Sequence, residues 1–169
     1  MYTAEDILLE RERRTKLQEK LVEEYRVPIL IIRVNYPGVK KDNKFSQSII
    51  KIMDGAVCEV FDGSIVNKII NTTAEGPIVI MSINKEARDI KSITLKIEDN
   101  HALGRCVDID VYDENYRGIS REDFGLHMRK CFICDDIAHN CVRSGKHSKE
   151  EVEGFIKNKL TQYMEKIHE

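Results

Sequence analysis

From Pro28 to Val111 the apolar residues change their spacing in an order that few folds accommodate. Pro28-Ile29-Leu30-Ile31-Ile32-Arg33-Val34 is dense in β-branched residues and predicts a buried strand, which Tyr36-Pro37-Gly38 ends as a turn. Phe45, Ile49, Ile52, Met53, Ala56 and Val60 then recur at helical spacing and predict a helix over about 42–61, slightly weakened by Gly55. Ser64 to Asn71 predicts a strand, Glu75-Gly76-Pro77 a turn, and Ile78 to Ile83 another strand. Ala87, Ile90, Ile93 and Ile97 mark a second amphipathic helix, and a strand over 105–112 closes the series. The order is β-α-β-β-α-β, the split arrangement of ferredoxin-like sheets. The expected class is α+β, a mixed sheet with helices on one face, in a single domain over 1–169.

Helices flank this core on both sides. Residues 4–25 read as a helix opened by Thr3 with Asp6 three positions on, a capping-box pattern. Its apolar stripe of Ile7, Leu8, Leu17, Leu21 and Val22 is incomplete, and Arg11, Arg13 and Arg14 read as a solvated face. Ser120 with Asp123 caps a short helix. Ser148 with Glu151 opens a longer one, whose apolar face of Val152, Phe155, Ile156, Leu160, Tyr163, Met164 and Ile167 is expected to pack on the core.

The last strand carries the first chemical signal. In Gly104-Arg105-Cys106-Val107-Asp108-Ile109-Asp110-Val111, alternation turns Val107, Ile109 and Val111 inward and leaves Asp108 and Asp110 together on the outer face. Their α-carbons should lie about 7 Å apart, close enough for both carboxylates to lean onto one hard cation such as Mg2+ beside substrate phosphates. The plainer alternative is a half-buried strand with a solvated acidic face.

Composition narrows the partners. A chain of 169 residues with 41% hydrophobic and 33% charged residues suits a globular domain with a real core. A net charge of −2 gives no general reason to expect nucleic acid. No apolar run approaches the roughly 20 residues that span a bilayer, so no membrane is expected. Met1 to Asp6 shows no basic segment leading into an apolar one, so no secretory leader is expected. Five cysteines, an odd number, read as reduced thiols in a cytoplasmic protein.

Three of those cysteines present two exclusive readings. Cys131, Cys134, Cys141 and His147 spell C-x2-C-x6-C-x5-H, the ligand types of a tetrahedral zinc site. Alternatively a helix over about 129–143 gathers Cys131, Cys134, Ala138, Cys141 and Val142 into one narrow apolar stripe. In such a helix Cys131 and Cys141 stand about 15 Å apart, too far for one ion. Nothing between 131 and 143 is Gly or Pro, so the buried helix is the expected outcome.

Around the acidic strand stand Arg105, Arg121, Arg129 and Arg143, with Lys40 after the first strand. Guanidinium forks suit phosphate, and beside a metal-ready acid pair they suggest a polyphosphate substrate. The string His101-x-Leu103-Gly104-Arg105-x-x-Asp108-Ile109-Asp110-Val111, then Ser120-Arg121, Gly125, Arg129-x-Cys131-x-x-Cys134, Cys141-x-Arg143 and His147-Ser148, resembles the apo-citrate lyase phosphoribosyl-dephospho-CoA transferase family, also called citrate lyase holo-acyl carrier protein synthase. The resemblance runs from about Pro28 to Glu151, includes Pro37-Gly38-x-Lys40, and is densest from His101 to His147.

That resemblance implies a nucleotidyltransferase-type enzyme of citrate lyase maturation, whose sheet is ferredoxin-like or a nucleotidyltransferase variant. Triphosphoribosyl-dephospho-CoA would give up phosphoribosyl-dephospho-CoA to a serine of the acyl carrier (gamma) subunit, releasing diphosphate. Asp108 and Asp110 would hold Mg2+, Arg105 would stabilise the diphosphate, and Lys40, Arg121, Arg129 and Arg143 would orient the rest. Asp110 is a candidate for the serine's proton as well as a metal ligand. His101 and His147 are further candidates, each against the reading of a structural histidine. No third carboxylate stands out. The rivals are a non-catalytic binding module organised by zinc and a nucleotidyltransferase with another acceptor.

Overall fold

The computed structural model describes residues 2–168. Helix α1 (Ala4–Tyr25) leads into strand β1 (Ile29–Val34), helix α2 (Lys44–Val60), strands β2 (Ile65–Thr73) and β3 (Gly76–Ile83), helix α3 (Ala87–Asn100) and strand β4 (Val107–Tyr112). A two-residue strand β5 (Gly118–Ile119), helix α4 (Ala138–Ser144) and helix α5 (Lys149–His168) complete the order. The strands form one sheet in the order β2-β3-β1-β4-β5. This is the α+β fold the sequence predicts, with the split arrangement in place.

Two details differ. The sheet expected to be mixed is antiparallel at every pairing, because β3 inserts between β1 and β2, the two strands that the first crossover makes parallel. The helices also cover both faces. Leu30, Ile32, Val79, Met81, Val107, Ile109 and Val111 face α2, α3 and α5 in the main core, while Ile29, Ile31, Ile78 and Ile80 face Leu21 and Val22 of α1 on the other side. A strand apolar on both faces needs cover on both, and α1 supplies it.

Arg14 is accordingly no solvated residue. Its Nε donates to Glu75 Oε2 at 2.8 Å, and the Glu75 side chain is only 4% exposed. Both capping boxes form: Thr3 with Asp6, and Ser148 with Glu151. On α5, Ile156 and Leu160 are buried, but Ile167 is 55% exposed, so the helix outruns the core.

A tight 3-10 turn at Gly104–Cys106 precedes β4. A Cβ at Gly104 would meet the Glu98 carbonyl oxygen at 2.3 Å. Only glycine lets the chain pass this close to the end of α3, and that passage sets where β4 begins. Among the described residues no helix is long and apolar enough to cross a membrane.

Candidate active site

Strand β4 is buried at Val107, Ile109 and Val111 and partly open at Asp108 and Asp110, as its alternation requires. Pairing sets Asp108 opposite Arg33 and Asp110 opposite Ile31 of β1, so both acids share the face that α1 partly covers. Their side chains are 38% and 37% exposed. Arg33 Nη2 donates to Asp110 Oδ2 at 2.7 Å, and Asn35 Nδ2 donates to Asp108 Oδ1 at 2.9 Å. Arg129 Nη1 also donates to Asp108 Oδ1, at 3.0 Å. These bonds use one oxygen of each carboxylate and orient both groups. Two fixed carboxylates on one strand face suit a hard divalent ion with phosphate ligands.

The outer edge of β4 pairs with β5 only at Val111 and Tyr112. Upstream, side chains of α3 take over the edge: Ile109 N–H donates to Glu98 Oε1 at 2.9 Å, and Lys91 Nζ donates to the Ile109 carbonyl at 2.8 Å. Both are buried charges. Burial pushes the Glu98 carboxyl above its usual range, opposed by Arg129 and Lys91, and burial lowers the Lys91 ammonium. Arg121 Nη1 lies 3.5 Å from Glu98 Oε2, and its Nη2 lies 3.1 Å from Asp99 Oδ2. A cavity of ≈ 380 Å³ opens here, lined by Lys91, Glu98, Asp108 to Tyr112, Gly118 to Arg121 and Arg129. That volume falls within the range of small-molecule sites, about 300–1,000 Å³.

Of the residues read from sequence, Asp108, Asp110, Arg121 and Arg129 meet at this cavity. Arg105 sits next to it: burial lowers its pKa first, then the nearby charge of Arg129, and its Nη2 donates to the Lys130 carbonyl. Lys40, Arg143 and His101 are not among the lining residues. Lys40 and Arg143 are exposed. His101 ends α3, accepts the Leu103 N–H at Nδ1 and lies against Tyr163, with its pKa lowered by burial. Asp113 closes the β4–β5 turn through the Asn115 and Arg117 amides.

Sequence reading missed four groups here. Arg33 is the one charge within an apolar strand, and that isolation was its signal. Lys91 and Glu98 stand seven residues apart on the same side of α3 as Ile90 and Ile97, an uncommon place for charge. Lys41, with Nζ donating to the Tyr36 carbonyl at 2.6 Å, is lowered by burial and then by Arg11 and Arg33, which places it in the same electrostatic neighbourhood.

The cysteine segment is not the expected helix. Helix α4 starts only at Ala138, and the preceding residues form a tight turn bridged from Lys130 to Ile137. Cys131 N–H donates to the Asp136 carbonyl at 2.7 Å, and the Asp136 carboxylate accepts the Ile137 N–H at 2.7 Å. Aspartate competing for backbone amides stops the helix without Gly or Pro. Instead of standing about 15 Å apart, Cys131 and Cys141 join Cys134 and His147 in a group whose ligand atoms all lie within 4.8 Å of one another. Among the described residues this is the one set of three or more Cys, His, Asp or Glu side chains gathered closely enough for a single metal ion. The Asp136 N–H, followed by His147, holds the Cys134 thiol below its usual pKa. Burial opposes ionisation of Cys131, but the Ile133 and Cys134 amides outweigh it. Cys141 is pushed up to about 12 by burial and by its contacts with Cys134 and Cys131.

The sequence model of the apo-citrate lyase phosphoribosyl-dephospho-CoA transferase family matches residues 2–163. A protein of that name from Escherichia coli O7:K1 is 31% identical over 145 residues, covering 84% of this chain and 79% of the relative. One from Citrobacter koseri is 29% identical over 148 residues, covering 85% and 80%. Protein CitXG of Leuconostoc mesenteroides subsp. cremoris is 30% identical over 169 residues, 95% of this chain but 35% of that longer protein. With the match spanning both the acidic strand and the cysteine cluster, the chain is an enzyme of the transferase class and belongs to the apo-citrate lyase phosphoribosyl-dephospho-CoA transferase family.

Proposed function

We propose that this protein moves phosphoribosyl-dephospho-CoA from triphosphoribosyl-dephospho-CoA to a serine of the citrate lyase acyl carrier subunit, releasing diphosphate. The observation that carries this reading is the meeting, in one cavity, of the oriented Asp108–Asp110 pair with Lys91, Arg121 and Arg129. Phosphoryl-type transfer is mostly positioning and charge neutralisation, and the cavity supplies both.

The serine Oγ attacks the phosphorus nearest the ribose, the new O–P bond forms, and the bond to the departing diphosphate breaks. Arg129, Arg121 and Arg105 supply forked donors for the charge that gathers on the diphosphate. Arg33 and Asn35 keep the two carboxylates in register. The Asp110 oxygen outside its bond to Arg33 takes the serine proton in this reading. Asp108 and Asp110 would hold Mg2+, which when bound neutralises phosphate charge and organises the diphosphate. The five free thiols fit a reducing compartment, and we place the enzyme in the cytoplasm.

Mass spectrometry of apo acyl carrier subunit incubated with this protein, Mg2+ and the triphosphoribosyl precursor tests the proposal. A mass gain equal to the attached arm, with one diphosphate released per carrier, is the expected result. Carrier that stays unmodified while the precursor survives overturns it.

A further inference from the structure

We propose that Cys131, Cys134, Cys141 and His147 bind one zinc ion, and that this ion holds Arg129 and Arg105 in place against the acidic strand. The chain builds the site from three pieces. The bridged turn from Lys130 to Ile137 presents Cys131 and Cys134, with the Ile133 N–H directed at Cys131 Sγ at 3.4 Å. Helix α4 presents Cys141 from its interior. Gly145, at φ +60°, then reverses the chain so that the Lys146 N–H donates to the Cys141 carbonyl and His147 returns to the group. His147 Nε2 lies 3.3 Å from Cys134 Sγ, which lies 3.5 Å from Cys141 Sγ. A tetrahedron with zinc–sulfur bonds of about 2.3 Å has edges of about 3.8 Å, so these donors need only small movements to close on an ion. Thiolates with imidazole select zinc over the hard cation proposed for the aspartates.

A second observation says what the ion does. From Arg121 to Glu150 the one buried residue is Cys141. Thirty residues with one buried side chain gain little from apolar burial, the Phe132 stack on Phe155 aside, and a structural metal supplies the missing free energy in such segments. This segment carries Arg129, whose Nη2 donates to the Gly104 carbonyl at 3.0 Å and whose Nη1 reaches both the Val107 carbonyl and Asp108. The carbonyl of Lys130, next to Cys131, accepts from Arg105. The Arg129 carbonyl accepts the Ala138 N–H and so belongs to the same turn as two of the ligands. The ion thus sits at the root of the strap that delivers Arg129 to the cavity and presents the Lys130 carbonyl to Arg105. Arg129 contacts Asp108, while the cysteines act through it as positioning residues.

The metal site stands on these donors alone; its consequence for transfer rests on the function proposed above. Elemental analysis of the purified full-length protein should find about one zinc per chain, and Cys134→Ser and His147→Ala should each abolish it. Co2+ replacing zinc should give the visible bands of tetrahedral thiolate coordination. Absence of zinc from protein made in zinc-supplied medium, or a Cys134–Cys141 disulfide in its place, overturns the site. Hydrogen exchange tests the role. Stripping zinc should raise exchange over residues 104–108 and 129–138 while β3 stays protected, and unchanged exchange in those two segments overturns the positioning claim even if zinc is present. In transfer assays with Mg2+ restored, Cys134→Ser should raise KM for the triphosphoribosyl substrate. Combined with Arg129→Lys it should do no more harm than the worse single change, and full additivity overturns the link to Arg129. Metal content and exchange are read without substrate, so they stand apart from failure of the transfer reaction itself.

Discussion

Arg129 crosses 21 residues of sequence to set its Nη1 3.0 Å from Asp108 Oδ1, on a side chain only 16% exposed. The same guanidinium donates to two backbone carbonyls at the entry to β4. It therefore ties the acid to the strand that carries it as well as to the strap. Lysine preserves the charge but cannot reach three acceptors with a planar fork. Arg129→Lys should lower kcat/KM for transfer by about a hundredfold, the scale for losing one oriented electrostatic contact, with folding retained by circular dichroism. Transfer within a few-fold of wild type would remove Arg129 from the site.

The aspartates make a sharper test because asparagine keeps their volume and removes their charge. Asp108→Asn and Asp110→Asn should each cut kcat by about a hundredfold or more, and neither should recover at saturating substrate. Each change also removes a carboxylate proposed to hold Mg2+, so both should raise the Mg2+ concentration needed for half-maximal rate. Steady-state assays over a Mg2+ series measure both effects. Wild-type rates in both variants would exclude the pair.

Local pattern exposed strands β1 to β4 because each is dense in β-branched residues, and it missed β5, a two-residue strand with no pattern of its own. It exposed Asp108 and Asp110 because alternation alone assigns their face. It exposed Glu98 only faintly, through its place on the same side of α3 as Ile97. Its burial arises only when Gly104 brings β4 against the end of α3. The cysteine segment misled for a related reason. Cys131, Cys134, Ala138, Cys141 and Val142 share helical spacing, and the signal against a helix was Asp135-Asp136, whose competition for amides outweighs periodicity. Arg14 looked solvated because its partner Glu75 lies 61 residues away across the sheet.

That partner makes α1 a test of stability separate from catalysis. Replacing Arg14 with methionine keeps the aliphatic contact and leaves the Glu75 carboxylate nearly buried, with Arg11 at 3.6 Å as the remaining cation. Breaking a buried pair by removing one partner costs about 3–5 kcal/mol, and Arg11 should bring Arg14→Met toward the lower end. For a chain of this size that is a fall in Tm of roughly 6–12 °C. Calorimetry on Arg14→Met and on the double change with Glu75→Gln reads the effect. The double variant should recover part of the loss, because it removes the stranded charge. Equal loss in both would show that the stranded Glu75 charge is not the cause of the loss.

Glu98 gives the protein a pH dependence whose sign follows from its burial. Its carboxyl binds a proton more tightly in the folded chain than in the unfolded one, whose ordinary value is 4.5. The stability this contributes is present below about 4.5 and is lost as pH rises from there through the elevated folded value. Arg129 and Lys91 oppose the shift without cancelling it. Glu98→Gln keeps an acceptor for the Ile109 N–H and removes the titration. The Tm difference between wild type and Glu98→Gln should therefore move in favour of glutamine as pH climbs from 4.5 toward 7. A difference that stays flat, or moves the other way, would mean that the three cations around Glu98 hold it ionised throughout, and that Arg129 is shared between two full charges instead of being directed mainly at Asp108.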